Sequence, residues 1–198
     1  MATVVMHAVV SVDGFIADEH DDVGPLFEWY FNGDVPIVGE GAEERHSPFR
    51  VSQRSQEYVS SLWGSIGATI QGRHLFDLTN GWEAEPPAGE HLVVVSHRPK
   101  PEGWHPEADV PFFTGVGAAV EEAKERAGDR LVAVCAGNVG GQALALGLVD
   151  EVAMDVVPVV LGEGVRFFGS HVGTVLLDDP DQVVQGDRVL HLHYTVKR

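Results

Sequence analysis

The sequence predicts a single α/β domain whose central sheet is mostly parallel and carries antiparallel strands at one edge. Apolar segments rich in β-branched residues alternate with amphipathic helical segments, an order typical of parallel sheets with crossover helices. The last third lacks a helical period and ends in two strand-like segments, residues 172–177 and 189–196. The length of 198 residues suits one large domain over residues 1–198.

The first part of the chain begins with a buried strand. Residues 4–10 form an apolar run interrupted by His7, as expected for a strand buried on both faces. Residues 18–52 are an acidic, Gly- and Pro-rich excursion with a short helix near residues 26–31. A helix over residues 55–65 and a short strand over 68–71 follow. The helix places four side chains on one face, namely Tyr58, Val59, Leu62 and Trp63.

The middle of the chain continues the alternation. Strands are predicted over residues 91–96, 110–113, 131–136 and 152–160. Thr114 is the expected cap of a helix that Gly128 ends, and a second helix over residues 138–146 closes at Gly147. The buried face of the first helix consists of Val116, Ala119, Val120, Ala123 and Ala127.

The charge balance excludes some partners. The formal net charge is −17, and no Lys or Arg precedes Arg45, whereas Glu40, Glu43 and Glu44 are among the acids crowding that region. Nucleic acids and anionic membranes need a basic surface, so we expect neither as a partner. No apolar run reaches the length of a membrane helix, and the start reads as a strand rather than a signal peptide. One cysteine, Cys135, cannot form an internal disulfide, which favours a reducing, cytoplasmic location.

Several nucleotide and metal motifs are missing. The first strand runs into Ser-Val-Asp-Gly-Phe at residues 11–15, which is no G-x-G-x-x-G loop, and there is no Walker loop. A single cysteine excludes a zinc deaminase site. His191 and His193 share a strand face, but without a third ligand no metal site is predicted. Cys135 has no evident triad partner and is interpreted as a buried strand residue, not a nucleophile.

Three polar motifs follow predicted strands. They are GRHLF at residues 72–76, SHRP at 96–99 and AGNVGG at 136–141. In a parallel sheet these strand ends share the edge where ligands bind. Arg73 and Arg98 offer planar charged groups for phosphate, and Asn138 is the expected N-cap of a helix that presents free N–H groups to an anion. Together with Ser96, His74 and His97, these groups suit NADPH, which has a pyrophosphate and a separate phosphate.

Each motif also has a simpler interpretation. Arg73 can pair with Asp77 one helical turn away, Arg98 can be a solvated loop residue, and the glycines can form only a turn. The coincidence of three motifs at successive strand ends favours a binding site.

With these motifs the sequence resembles the dihydrofolate reductase-like superfamily, and within it bacterial proteins related to the reductase domain of the bifunctional riboflavin deaminase-reductase. The resemblance covers nearly the whole chain. It rests on SVDGFIA at residues 11–17, GRHLFD at 72–77, VVVSHRP at 93–99, AGNVGGQAL at 136–144 and LVDEVAMDVVPVVLGEGVRFF at 148–168.

The resemblance implies an NADPH-dependent reductase on a dihydrofolate reductase-like sheet, as a homodimer. The implied cofactor contacts are Gly72, Arg73 and His74 for the phosphates, Ser96, His97 and Arg98 for the 2′-phosphate, and Gly137, Asn138, Val139 and Gly140 for the pyrophosphate. Three residues depart from the family pattern. Leu75 replaces a threonine, Ala136 replaces a glycine, and Cys135 stands where riboflavin-pathway reductases commonly carry glutamate.

Candidates for substrate chemistry lie near the first strand. Asp13 and Gly14 match the S-x-D-G loop, with a simple Asp-Gly turn as the alternative. Glu28 is the candidate substrate carboxylate or a solvated helix acid, and Trp29 is a candidate aromatic wall or a core residue. We expect hydride transfer to a small pterin- or pyrimidine-like heterocycle. The alternatives are a non-catalytic nucleotide-binding or structural homodimer and 5-amino-6-(5-phosphoribosylamino)uracil reductase.

Overall fold

The computed structural model describes residues 2–37, 49–170 and 173–197. Glu40, Glu43, Glu44 and Arg45 of the acidic excursion, and part of the predicted strand 172–177, lie outside these residues. In chain order the strands are β1 Val4–Ser11, β2 Phe15–Ala17, β3 Val35–Pro36, β4 Arg50–Val51, β5 Ile66–Gly72, β6 His91–Val95, β7 Phe112–Phe113, β8 Leu131–Cys135, β9 Glu151–Val157, β10 Val165–Arg166, β11 Gln182–Gln185 and β12 Leu190–Thr195. The α-helices are α1 Gln53–Ser65, α2 Arg73–Thr79, α3 Val116–Ala127 and α4 Asn138–Ala145, and 3-10 helices span Gly24–Phe31 and Asn80–Ala84.

Eight strands form one sheet in the order β11-β12-β9-β1-β8-β5-β6-β7. All neighbours from β9 to β7 are parallel, and β12 and β11 add to the β9 edge in antiparallel orientation. The predicted fold class, a mostly parallel sheet with antiparallel C-terminal strands, is confirmed. Strands of this sheet come from both ends of the described chain, and the assignment of residues 1–198 to one domain stays a prediction.

The two faces of the sheet are covered by different helices. Val4 and Met6 of β1 face α3 and α4 in the largest apolar cluster, whereas Val5 packs on the side of α1. This alternation explains why β1 is apolar on both faces. The five α3 residues predicted to be buried are all buried. On α1, Tyr58 and Val59 are buried and Leu62 and Trp63 pack against the same layer.

Several predicted boundaries shift for identifiable reasons. The strand predicted to reach residue 160 ends at Val157, because Pro158 follows and has no N–H for the ladder. Pro111 similarly restricts the strand predicted over residues 110–113 to β7. Thr114 does not cap α3, since Gly115 occupies the cap position without a side-chain hydrogen bond. Helix α1 begins two residues early because the Ser52 hydroxyl accepts from the Ser55 N–H.

The prediction of a strand over residues 172–177 is wrong for the described part of that segment. Residues 173–177 are not a strand, apart from an isolated bridge between Leu177 and Val196. The antiparallel partner of β12 is β11, which is largely exposed and begins and ends with glutamine. Because β11 is largely exposed, its sequence lacks the alternation of apolar and polar residues by which half-buried strands are predicted. Among the described residues, no helix has the length and apolar character needed to cross a membrane.

His193 joins the two antiparallel strands to β9. Its Nδ1 lies 2.7 Å from Asp181 Oδ1, and its Nε2 lies 3.2 Å from Glu151 Oε2. Glu151, and secondarily Asp181, raise the pKa of His193 above its ordinary 6.5 despite burial. The folded chain therefore holds this proton more tightly than the unfolded chain. The resulting stabilisation is complete below pH 6.5 and is lost as the pH rises through the folded-state pKa.

We therefore expect His193→Gln to lower the free energy of unfolding more at pH 5.5 than at pH 9. Urea unfolding at both pH values measures the difference. His20→Gln is the control, because its side chain is 79% exposed and lies 3.6 Å from Glu19. An equal loss for His193→Gln at the two pH values would contradict the assignment.

Candidate functional site

The three strand-end motifs meet at adjacent strands. In the sheet β5 lies between β8 and β6, so GRHLF follows the central strand and the other two motifs flank it. Contacts join them. Arg73 donates from Nη1 to the carbonyl of Pro99 at 3.0 Å, and a Cβ added at Gly72 would lie 2.9 Å from Val139 Cγ2. The predicted clustering is thus present in the fold.

Asp77 holds the two arginines of this edge together. Its Oδ1 accepts from Arg73 Nε at 2.7 Å, and its Oδ2 accepts from Arg98. The hydrogen bond from Arg73, followed by that from Arg98, lowers the pKa of Asp77, so its carboxylate stays ionised at neutral pH. The predicted Arg73–Asp77 pair therefore exists and includes Arg98. The trio carries one net positive charge and keeps several guanidinium N–H donors free of Asp77.

The remaining polar groups of the first two motifs are also positioned by neighbours. His74 Nε2 lies 2.9 Å from Asp21 Oδ1, so an acid of the excursion faces a histidine predicted to meet phosphate. Ser96 is buried, accepts from the Arg98 N–H at 2.9 Å and donates to the Arg98 carbonyl at 2.6 Å. This turn fixes the backbone of Arg98 and leaves its side chain exposed. His97 is exposed beside it.

The glycines of AGNVGG serve mainly close packing. Gly137 has a φ of +94°, which asparagine seldom adopts, and it caps α4 in place of Asn138. The predicted Asn138 cap is therefore wrong, and Asn138 is the first residue of the helix. The Gly137 N–H already donates to the Phe167 carbonyl at 2.7 Å. A Cβ at Gly140 would lie 2.8 Å from the Cys135 carbonyl, so the helix approaches β8 at a distance that only glycine permits.

A cleft of about 200 Å³ lies between α2 and α4. Gly72, His74 and Leu75 line one side of it, and Ala136 and Val139 line the other. Cys135 contributes to the lining, and burial raises the pKa of its thiol to about 12. The thiol is therefore protonated at neutral pH, in line with its interpretation as a non-nucleophilic residue. The remaining lining residues are Ile16, Ala17, Asp21, Val23, Leu78, Gly137, Asn138 and Val165.

Asp13 and Gly14 form the turn between β1 and β2. The Asp13 carboxylate accepts from the Ser11 hydroxyl at 2.6 Å and from the Gly162 N–H at 2.7 Å, and Gly14 has a φ of +90°. The Ser11 hydroxyl, followed by the Gly162 N–H, lowers the pKa of Asp13. Asp13 is thus an ionised anchor for a neighbouring loop. This geometry favours the turn interpretation over the role of proton donor.

Glu28 and Trp29 are not among the residues that line the cleft. Glu28 is exposed on the 3-10 helix, and Trp29 is fully buried in the apolar cluster that includes Tyr30 and Val59. Its ring stacks on Tyr30 with centroids 4.0 Å apart. Core packing therefore accounts for Trp29. His191 and His193 have separate carboxylate partners, and no group of metal-ligating side chains occurs in the described part of the chain.

Sequence reasoning missed a buried polar network on the α1 face of the sheet. Asp155 of β9 lies between His7 and His191, with Nε2 of His7 at 3.0 Å and Nδ1 of His191 at 2.6 Å. Burial alone would raise the pKa of Asp155, but charge on His7 and hydrogen bonds from both histidines reverse the effect and lower it. The signal was present in the sequence, since His7 and Asp155 interrupt otherwise apolar strands.

Gln71 is a second buried polar residue on this face. It is fully buried at the end of β5, and neither atom of its amide has a hydrogen-bond partner among the described residues. An unpartnered buried amide costs about 1–3 kcal/mol relative to an apolar group of the same shape.

The sheet order, the flanking helices and the antiparallel edge define a dihydrofolate reductase-like fold. Residues 2–183 match the model of the RibD C-terminal domain, and the chain belongs to that family. No curated protein matches the chain in sequence. Membership of the RibD C-terminal domain family supports a reductase role.

Solved structures agree on the fold. A candidate riboflavin biosynthesis protein of Shewanella sp. PV-4 is similar over 100% of both chains, with 19% identity and a TM-score of 0.70. RibD of Acinetobacter baumannii is 14% identical with a TM-score of 0.63, and the match covers 100% of this chain and 59% of that chain. A pyrimidine reductase-like protein of Corynebacterium diphtheriae is 16% identical with a TM-score of 0.56, over 100% of this chain and 92% of that chain.

We expect Gln71→Met to raise the free energy of unfolding by about 1–3 kcal/mol, because it removes an unpartnered amide at nearly constant volume. Urea unfolding measures the change, with the exposed Gln182→Met as the control. A loss of stability in Gln71→Met would instead show that the amide has a partner in solution.

Proposed function

We propose that this chain is an NADPH-dependent reductase that reduces a small pterin- or pyrimidine-like heterocycle. The observation that carries the proposal is the pair of arginines held by Asp77 on α2, the helix whose His74, Leu75 and Leu78 line the cleft. Such a site offers charged, planar donors to a phosphate at one end and an apolar slot at the other. The family's reductase character supports the same function.

The residues present fit the cofactor. The trio of Arg73, Asp77 and Arg98 has one net positive charge, and Arg98 keeps an exposed side chain for a 2′-phosphate. Gly72 allows close approach at the neck of the cleft, where any side chain would meet Val139. When bound, a reduced nicotinamide supplies hydride. The chain holds the phosphates, orients the ring and excludes water through the apolar walls of the cleft.

A second candidate is reduction of 5-amino-6-(5-phosphoribosylamino)uracil in riboflavin biosynthesis. It is favoured by the family and by the names of two of the similar structures. Cys135 weighs against it, because a neutral thiol cannot replace the charge of a carboxylate at this position. A non-catalytic nucleotide-binding homodimer remains the alternative from a different functional class.

Titration of the fluorescence of the four tryptophans with NADPH and NADH tests the proposal. We expect saturable binding of NADPH, with weaker binding of NADH. Absence of saturable NADPH binding at physiological salt would overturn both reductase candidates. If NADPH binds, its oxidation with dihydrofolate and with the aminouracil distinguishes the substrates. Binding without oxidation of NADPH by either acceptor would favour the non-catalytic alternative.

Arg98→Ala tests the reading of the 2′-phosphate. A hydrogen bond to a charged group contributes about 1.5–3 kcal/mol, so we expect the Kd for NADPH to rise roughly 10- to 100-fold and that for NADH to stay constant. Arg130→Ala is the matched control, because Arg130 also pairs with a carboxylate, Glu90 at 3.1 Å, before the start of β8. Equal loss of both cofactors in Arg98→Ala would show that Arg98 does not read the 2′-phosphate.

A further inference from the structure

A continuous chain of hydrogen bonds runs from the start of α1 through the core to β1. Ser52 donates to the Ser55 hydroxyl at 3.2 Å, which lies 2.9 Å from Nε2 of His191. His191 then meets Asp155, and Asp155 meets His7. His191 and Asp155 are fully buried, whereas the His7 side chain is 15% exposed. Of these three residues, only His7 is partly exposed, so it is the end of the network that solvent can reach.

The hydrogen bonds of the Asp155 carboxylate indicate which groups of this network can carry its positive charge. Because Ser52 donates to Ser55, the Ser55 hydroxyl is free to donate to Nε2 of His191. In that arrangement Nδ1 of His191 donates to Asp155, and both ring nitrogens are used without a second ring proton. Burial of an ionised carboxylate needs a positive partner. His7 is the other described group in hydrogen-bond contact with the Asp155 carboxylate, so its ring is the candidate for the compensating positive charge.

His7 is not itself a lining residue of the candidate cleft, but it is adjacent to one. It pairs in register with Cys135, which lines that cleft, and the two side chains share one face of the sheet. Gln71 follows Ile70, the register partner of Val134, and so lies on the other side of Cys135. Among the described residues, Nδ1 of His7 has no hydrogen-bond partner, because only Nε2 contacts Asp155.

We propose that His7 is the general acid of the reduction, and that Asp155, His191 and Ser55 are positioning residues that hold it. This inference rests on the proposed reductase function. As hydride adds to the carbon of a C=N bond of the acceptor, the Nδ1 proton of His7 passes to the nitrogen. The acceptor gains one hydride from the reduced nicotinamide, which would be oxidised, and one proton from His7. His7 is then left neutral, with its Nε2–H still donated to Asp155. Solvent reprotonates Nδ1 after the product leaves.

The charge assignment can be tested without a substrate. Ring-¹⁵N spectra of the full-length protein at pH 6.5, assigned with His7→Gln and His191→Gln, report the protonation of each imidazole. We expect imidazolium signals from His7 and a neutral ring for His191, and we expect Asp155→Asn to convert His7 to the neutral form. A neutral His7 beside a charged His191 would overturn the proposal, whatever the substrate is.

Kinetics test the role of the proton. With the acceptor that the wild type reduces, we expect His7→Gln to slow single-turnover oxidation of NADPH by about 100-fold or more, since general acids contribute 10²–10⁴-fold. The Kd of His7→Gln for NADPH should equal that of the wild type. The solvent deuterium isotope effect that the wild-type rate shows should be absent in His7→Gln. His193→Gln is the matched control, because it removes another carboxylate-paired histidine from the same face of the sheet.

The outcomes separate this proposal from the general one. If the wild type does not bind NADPH, the reductase function is rejected, but the ring-¹⁵N spectra still report the charge of each histidine. Single-turnover rates within threefold of the wild type in His7→Gln, or an unchanged isotope effect, would reject His7 as the acid while the reductase function stands. If His7→Gln lowers the free energy of unfolding but keeps the isotope effect, the network has a purely structural role.

Discussion

Parallel pairing of β9, β1, β8, β5 and β6 is the constraint on which the rest of the molecule depends. It brings five carboxyl ends to one edge of the sheet, so motifs separated by many residues of chain become neighbours. The same pairing aligns side chains across strands in register. It therefore places Cys135 beside both Gln71 and His7, and it separates the face under α3 and α4 from the face under α1, which carries the Asp155 network.

Counter-charges shape this edge as much as the basic residues do. In a chain with a net charge of −17, Arg73, Arg98 and His74 each have an acid in contact. Asp77 serves Arg73 and Arg98, and Asp21 serves His74. The acids fix the geometry of the basic groups before any ligand arrives, and they lower the positive potential that a ligand meets. The acidic partners therefore fix the positions of the basic side chains at the cost of a weaker local positive potential.

The sequence predicted those features that depend on periodicity and on chain order. The strands β1, β5, β6 and β8, and the helices α1, α3 and α4, follow from apolar patterns that burial in a two-sided sheet requires. The exposed β11 has no such pattern and was missed. The Asp155 network was also missed, because its members lie 148 and 36 residues apart in the chain and become neighbours only through strand register. The glycines of AGNVGG were read for ligand contact, but close packing of α4 against β8 explains Gly140 directly.

The bridge through Asp77 would make phosphate binding at this edge an exchange of counter-ions. A phosphate that contacts both guanidinium groups takes over contacts that an internal carboxylate already makes. The net binding free energy of the phosphate would be the difference between its own contacts with the guanidinium groups and those that it takes from the Asp77 carboxylate. Displacing that carboxylate would also loosen the connection between α2 and the loop after β6. The attachment of α2 to that loop and the anchoring of the phosphate would then draw on the same two side chains. Phosphate binding would therefore change how firmly α2 is held to the loop after β6, although no main-chain hydrogen bond of the sheet need change.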